Sequence, residues 1–478
     1  MAPRWLNPRN PRLSVSVLFV AVMFMTIMDA TVVNVALPTL RREFGVSTAS
    51  VSAVVTSYLV ALAVVMPASG WLGDRVGGKR VLLSALALFT AASAACGVAN
   101  SLPALVAFRA VQGVGTGVLI PIGSTMLYRT FPQAERIRAT RLLMVPTLLA
   151  PALGPVLGGV IVDGLSWRWI FYVNLPVGLA AVAFGAAFLP QHREEAAGRF
   201  DLPGFVLAAL GLPLVMYAFN AGPGEGWGSP VILAAIVAGL ALLAAFTWAE
   251  LRTAEPMLQL RILGDRLYRA ASLQTAAGGA GFVGTLFLVP LFLQNGLGYS
   301  ALHSGLSTFP EALGGMVGIQ ISGRLYRRTG PRRLMMAGLF GAAVPIALMS
   351  TLGRSDANWA MPVLMLATGM LFGFSMAPAQ TASLATISAR QTGQALTLFS
   401  VQRQVAQALG VAVLATVLAA ARPIPSDLSG YHLAFLAAVA AMVAGGIIAS
   451  RVADADAAPT MAAAADPDSA VAGAEAIG

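Results

Sequence analysis

The chain has 478 residues, 57% hydrophobic and only 10% charged, with a mean hydropathy of +0.78 and a net charge of +10. Soluble domains carry about 25% charged residues, so this composition excludes a water-facing globular fold and makes lipid the solvent. The thirty basic residues, all arginine except Lys79, lie mostly in short gaps between apolar runs, which assigns them to membrane topology rather than to a nucleic-acid surface.

A membrane-crossing helix needs roughly 20 apolar residues. The first run, 14–36, is too long for a cleaved leader and lacks a small-residue cleavage site, so it reads as a retained span. The next five are 50–72, 81–99, 102–124, 142–163 and 168–189. Cys96, the single cysteine, lies inside the third, which excludes a disulfide framework or thiolate metal cluster. Two runs broken by glycine and proline follow at 203–220 and 230–249. The last six are 270–292, 304–323, 333–352, 360–382, 396–419 and 432–450. Fourteen spans with both termini cytoplasmic put 23 of the thirty basic residues in cytoplasmic segments. Five (Arg41, Arg42, Arg168, Arg354 and Arg422) fall outside, and Arg109 and Arg403 lie within spans. A missed span would invert every later loop and erase that asymmetry.

A shift of 253 residues brings two stretches into register. Gly45-Val46-Ser47 meets Gly298-Tyr299-Ser300, and Gly70-x-Leu72-x-x-Arg75-x-Gly77-x-Lys79-Arg80 meets Gly323-x-Leu325-x-x-Arg328-x-Gly330-x-Arg332-Arg333. Each marks the second span of a six-span unit. The predicted organisation is therefore a cytoplasmic N-terminus (1–13), an N-terminal six-helix half (14–189) and a linker with two inserted spans (190–269). A C-terminal six-helix half (270–450) and a disordered cytoplasmic tail (451–478) complete it. Paired repeats with a site between them are a transporter architecture.

Within these spans a few residues carry chemistry. Asp29 lies in the first, about 8 residues or roughly 12 Å from its outer end at ~1.5 Å per residue. A charge at that depth must face the bundle interior or a water-filled cavity. This suits a group that takes up and releases a proton, with a permanent structural ion pair as the alternative. Arg109, about 7 residues into the fourth span, shares that depth and is placed to hold Asp29 ionised; the alternative is an arginine bonded only to carbonyls. Glu311, after Pro310 in the tenth span, occupies the repeat position of Tyr58. It is a second acid able to titrate or to recognise cations, or else a wet group in a vestibule. Asp74, Arg75, Lys79 and Arg80 around the short inner loop form a conformational latch between the halves. In span five, Pro146, Pro151 and Gly154-Pro155-Val156-Leu157-Gly158-Gly159 predict a kinked helix packed closely against the opposing half, a hinge or seal. His192, His303 and His432 are unclustered and read as interfacial polar groups, not metal ligands. No catalytic constellation of clustered histidines, paired acids or a Ser/His couple is present, so the chain does not read as an enzyme.

These motifs resemble the major facilitator superfamily, and within it the fourteen-span drug/proton antiporters of the EmrB/QacA type. The resemblance rests on Gly70-Trp71-Leu72-Gly73-Asp74-Arg75-Val76-Gly77-Gly78-Lys79-Arg80 and Arg109-Ala110-Val111-Gln112-Gly113-Val114-Gly115. It rests also on Gly154 through Gly159 and Asp29 through Pro38, with Trp167 through Phe171, Asn174, Pro176, Gln402-Arg403-Gln404 and Gly410 in support. Gly78 stands where a basic residue is usual, and Ala150 where a glycine is. The resemblance implies an all-α polytopic membrane protein of the major facilitator fold, two six-helix halves plus two inserted central helices. It implies proton-coupled export of small, largely apolar or cationic compounds across the bacterial inner membrane. Asp29 and Arg109 would be central, and the Gly154-Pro155 stretch would block a leak. The partners implied are a small-molecule substrate, protons and the lipid bilayer, with no cofactor, metal or nucleic acid; a periplasmic adaptor is not evident from the sequence. Export of one endogenous metabolite, siderophore or lipid is the alternative, and proton symport for uptake a further one.

Overall fold

Side-chain caps and early prolines set where the helices begin. Ser47, Ser101, Asp201, Asp265 and Ser300 each accept a hydrogen bond from the backbone N–H three residues on, and Pro103, Pro203, Pro230 and Pro331 stand in first turns, where no N–H is needed. The computed structural model describes residues 11–131, 150–189, 200–353, 356–388, 391–421 and 428–463. Pro146, His192, residues 464–478 and Arg4, Arg9, Arg136, Arg138, Arg141, Arg193, Arg199, Arg354, Arg390 and Arg422 lie outside the described residues.

Among the described residues every regular element is helical. The first six helices are α1 (Pro11–Phe44), α2 (Thr48–Val76), α3 (Gly78–Gly97), α4 (Leu102–Thr130), the described part of α5 (Ala150–Gly164) and α6 (Trp169–Phe188). Then come α7 (Leu202–Glu225) and α8 (Pro230–Arg252). The last six long helices are α9 (Arg266–Leu291, extended by a π turn to Gly296), α10 (Ala301–Thr329), α11 (Pro331–Met349), α12 (Ala357–Ser383), α13 (Thr392–Ala420) and α14 (Ser429–Ala449). A short α15 (Ala458–Ala463) follows.

Twelve of these helices are long and apolar enough to cross a membrane. The two others at predicted span positions fall short for different reasons. Only 15 residues of α5 are described, whereas α10 is 29 residues long but too polar, with Ser304, Ser307, Thr308, Glu311 and Ser322 along it. Helix α10 lies against α12, and the rest of its surface is partly exposed, with Leu306, Leu313 and Val317 facing outward.

The 253-residue offset is visible in the backbone. Helix α2 and helix α10 begin and end 253 residues apart, and each is entered through a serine cap after a positive-φ glycine (Gly45, φ 62°; Gly298, φ 78°). Both leave through another, Gly77 (φ 100°) and Gly330 (φ 78°), where a side chain would be strained. Packing repeats too: α4 lies against α2 and α3 as α12 lies against α10 and α11, and α1 meets α6 as α9 meets α14. The main contacts between the two sets run through α2 with α13 and α1 with α9 and α10. Helices α7 and α8 pair with each other and are the least buried of the twelve; α7 reaches the rest through α2 and α13.

Residues 451–463 depart from the predicted disordered tail. Asp454 accepts the backbone N–H of Arg332 (2.9 Å), and Thr460 Oγ1 bonds Tyr326 Oη (2.9 Å), so this segment packs onto the turn between α10 and α11. An exposed helix start offering free N–H groups is a ready partner for a carboxylate.

Candidate functional site

Asp29 and Arg109 meet. Each is 1% exposed, and Arg109 Nη1 donates to Asp29 Oδ2 at 2.5 Å. Burying two charges is stable only when their remaining lone pairs and protons are also bonded. Asp29 Oδ1 accepts from Gln112 Nε2 (2.8 Å) and Asn174 Nδ2 (2.8 Å). Arg109 donates from Nη1 to Gln112 Oε1 (2.7 Å) and from Nε to the Val54 carbonyl (3.2 Å), while its guanidinium lies 4.3 Å from the Tyr58 ring centre. Ser93 Oγ accepts from Asn174 (3.1 Å) and donates to the Phe171 carbonyl (2.8 Å). Tyr58 in turn donates to Thr116 Oγ1 (3.1 Å).

The network draws one carboxylate from α1, its cation and an amide from α4, and supports from α2, α3 and α6. It therefore ties together five helices of the first repeat. Asp29 faces the interior of that helix set and is shut off from solvent there. Gln112 lies three residues beyond Arg109 on one helical face, a spacing that could have marked it. Asn174 is 145 residues from Asp29, and its role follows only from the fold.

The other predicted site residues are dispersed. Glu311 is not part of the network, and among the described residues its carboxylate has no hydrogen bond or ion pair. Arg403, to which the sequence assigned only a position within a span, has a buried Nε, and neighbouring Gln402 a buried Oε1, that find no hydrogen-bond partner among the described residues. Asp74 and Lys79 line a cavity of about 420 Å³ at the end of the bundle carrying the α2–α3 turn. Lys79 donates to the carbonyls of Ala186 (2.9 Å) and Leu189 (2.8 Å) at the end of α6, within its own helix set, and Arg75 and Arg80 are exposed. His303 lies against Tyr299 with ring centres 4.4 Å apart and planes tilted by 54°, and His432 bonds the Leu352 carbonyl. Among the described residues no cluster of three metal-ligating side chains occurs.

Helix α5 corrects the expectation that its whole glycine stretch faces the opposing half. Gly154 and Gly158, four residues apart and hence on one face, lie against Thr31 and Val32 of α1. A Cβ on Gly158 would meet the Val32 carbonyl at 3.2 Å. The face one residue on makes the crossing: a Cβ on Gly159 would come within 2.7 Å of the Ala301 carbonyl at the start of α10, and Gly305 abuts the Pro155 carbonyl. Asp163, which no sequence motif singled out, completes this junction. Its carboxylate accepts the N–H groups of Ala301 (3.1 Å) and Leu302 (2.7 Å), capping α10 from α5. Nearby, at the same end of the bundle, Gln294 Nε2 donates to the Val35 carbonyl (2.9 Å), joining α9 to α1.

Comparison with known proteins agrees with this architecture. The model of the Major Facilitator Superfamily matches residues 19–411. A putative multidrug resistance protein MdtD from Serratia proteamaculans is 31% identical over 408 residues, covering 85% of each chain. A multidrug resistance protein B homolog from Mycobacterium tuberculosis is 34% identical over 394 residues, 81% of this chain and 73% of that protein. Among solved structures, a peptide transporter POT superposes with a TM-score of 0.67 at 15% identity, over 93% of this chain and 95% of that one. A D-xylose–proton symporter gives 0.61 at 14%, over 91% and 97%. With twelve helices able to cross a membrane among its described residues, every regular element there helical, and a family match across most of its length, the chain belongs to the Major Facilitator Superfamily and is a multi-pass membrane transporter.

Proposed function

We propose that this transporter is a proton-coupled antiporter that exports small, largely apolar or cationic compounds across a bacterial inner membrane. The observation that carries the reading is the buried Asp29–Arg109 pair, whose every strong bond is made within one helix set. Protonating Asp29 cancels its charge, removes an acceptor and leaves Arg109 uncompensated in a low-dielectric interior. The network must then rearrange, which is what coupling a proton to a conformational change requires. The names of the relatives, multidrug resistance proteins, support the substrate class.

In this reading α5 and α10 join the twelve apolar helices to give fourteen spans with both termini cytoplasmic. Residues 14–189 and 270–450 form the two halves, and α7 and α8 the inserted pair. The end of the bundle with the α1–α2 turn is then extracellular, and the α5–α10 and α1–α9 bonds hold the halves together there. The protein is accordingly closed to the outside in this state. Asp74, Arg75, Lys79 and Arg80 stand at the cytoplasmic end, where they would latch the two halves together in the alternate state. Glu311, without a partner, is a candidate second proton or cation site.

The decisive experiment uses proteoliposomes with a trapped pH dye and an imposed proton gradient. A transported apolar compound should accelerate proton movement in the wild type and leave it unchanged in Asp29→Asn. Compound movement that dissipates no proton gradient would rule antiport out. A susceptibility screen of an efflux-deficient strain expressing the protein supplies the compounds.

A further inference from the structure

The inserted helix α7 does not close fully onto the bundle. Between it, α2 and α4 lies a cavity of about 560 Å³, within the roughly 300–1,000 Å³ of small-molecule sites. Small side chains make the space, with Ala53 and Ala61 on α2 and Ala107 and Ala110 on α4. Pro213 and Met216 of α7 form the opposite wall, and among the described residues no charged side chain lines it. This cavity is separate from the Asp29 network yet shares two helices with it. Ala53 and Ser57 face the cavity, while the adjacent Val54 and Tyr58 hold Arg109.

We infer that this cavity binds a neutral, apolar molecule of drug size carrying one hydrogen-bond acceptor, drawn laterally from the bilayer. The absence of charge on the wall disfavours ions, whose desolvation nothing there would offset. Apolar contact alone does not select a ligand, because lipid chains are as apolar as the wall. Selection needs a polar contact, and the wall supplies it. Ser57 Oγ is buried and has no hydrogen-bond partner among the described residues, and an orphaned buried hydroxyl is unfavourable until it finds an acceptor. One residue away, Thr56 Oγ1 accepts from Asn220 Nδ2 (3.2 Å), and Asn220 is held in place by its bonds to Ser52 and the Met216 carbonyl (2.8 Å). A ligand carbonyl or ether oxygen placed at this end would accept a hydrogen bond from the Ser57 hydroxyl once a χ1 rotation brings Oγ out of its buried position into the cavity. Occupancy wedges α2 against α7 beside the residues that hold Arg109, so a ligand there biases the packing around the proton site. The inference rests on the export reading only for the kind of molecule that arrives.

The test is equilibrium binding of prodan, a neutral fluorescent aromatic ketone, to purified protein in lipid nanodiscs without a proton gradient. Because no transport is required, a failure of antiport and a failure of this site are read separately. Ala110→Phe and Ala107→Phe, which fill the cavity, should each weaken binding at least tenfold. Val111→Phe, on the exposed face of α4 (39% exposed), should leave it unchanged. A diazirine-bearing neutral probe applied to the wild type should label peptides of α2, α4 and α7, and this measurement stands even if a filled variant misfolds. Labelling confined to other helices overturns the inference. So does native mass spectrometry showing a phospholipid that Ala110→Phe loses while probe binding stays the same, because the space would then belong to a lipid chain.

Discussion

At the scale of residues, the pair Asp29–Arg109 behaves as a unit whose members cannot be removed one at a time. Asp29→Asn places an amide among donors from Gln112, Asn174 and Arg109, and Arg109→Gln leaves a buried carboxylate without its cation. Breaking a buried pair from one side typically costs about 3–5 kcal/mol. Each single variant is therefore expected to unfold earlier in detergent, and the double variant to recover most of the loss while transporting nothing. Thermal unfolding followed by fluorescence, beside transport at matched protein amount, measures both; a single variant as stable as the wild type would mean the pair is not a unit. Asp29 and Arg109 were legible in the sequence because a charge inside an apolar run has few tolerable positions. Asn174, named there only in support of the resemblance, was not legible as their partner, since an asparagine near a span end fits an interfacial site equally well.

At the scale of elements, α5 distributes its glycines between two neighbours. Overpacking a tight contact costs roughly 1–3 kcal/mol, comparable to the gap between conformers of a transporter. Gly159→Leu acts directly on α10, so it should impair export and shift the protein away from the state closed outside. Gly158→Leu acts on α1 and should mainly lower stability. Leu88→Phe, on an exposed face of α3, should do neither. Equal export by all three at matched expression would remove the seal role from α5. Asp163 acts in the same place through charge. Losing a helix cap costs about 0.5–2 kcal/mol, and here the cap exists only while α5 and α10 touch. Asp163→Ala should thus lengthen the distance between spin labels at Leu165→Cys and Leu306→Cys, both exposed positions, with buried Cys96 left unlabelled. An unchanged distance distribution would show that the contact, not the cap, holds this end shut.

At the scale of the whole molecule, the polar α10 is the element most open to misreading. By hydropathy alone the described residues offer twelve crossings, and α10 is not among them. Its packing against α12 and its match to α2 in length, caps and flanking glycines argue for a full span. The expected topology is checked by reporter fusions after Leu202 and after Arg451, which should both read cytoplasmic. A fusion after Gly298 should read periplasmic. A cytoplasmic signal there would displace every helix from α9 onward.

The sequence by itself determined the membrane class, the approximate helix positions, the 253-residue repeat and the two charges of the central pair. Each is a local or periodic property: apolar length, turn chemistry at Gly77 and Gly330, or a charge where lipid forbids one. The tertiary structure decided which groups meet. It brought Gln112 and Asn174 onto Asp29, turned Gly158 toward α1 and Gly159 toward α10, and set Asp163 on the start of a helix 138 residues away. It also left a cavity beside α7. The physical reason is that lipid accepts any apolar face, so hydropathy says that a helix crosses but not which way it turns. The direction is settled by close packing of small residues and by the need of each buried polar group for a partner.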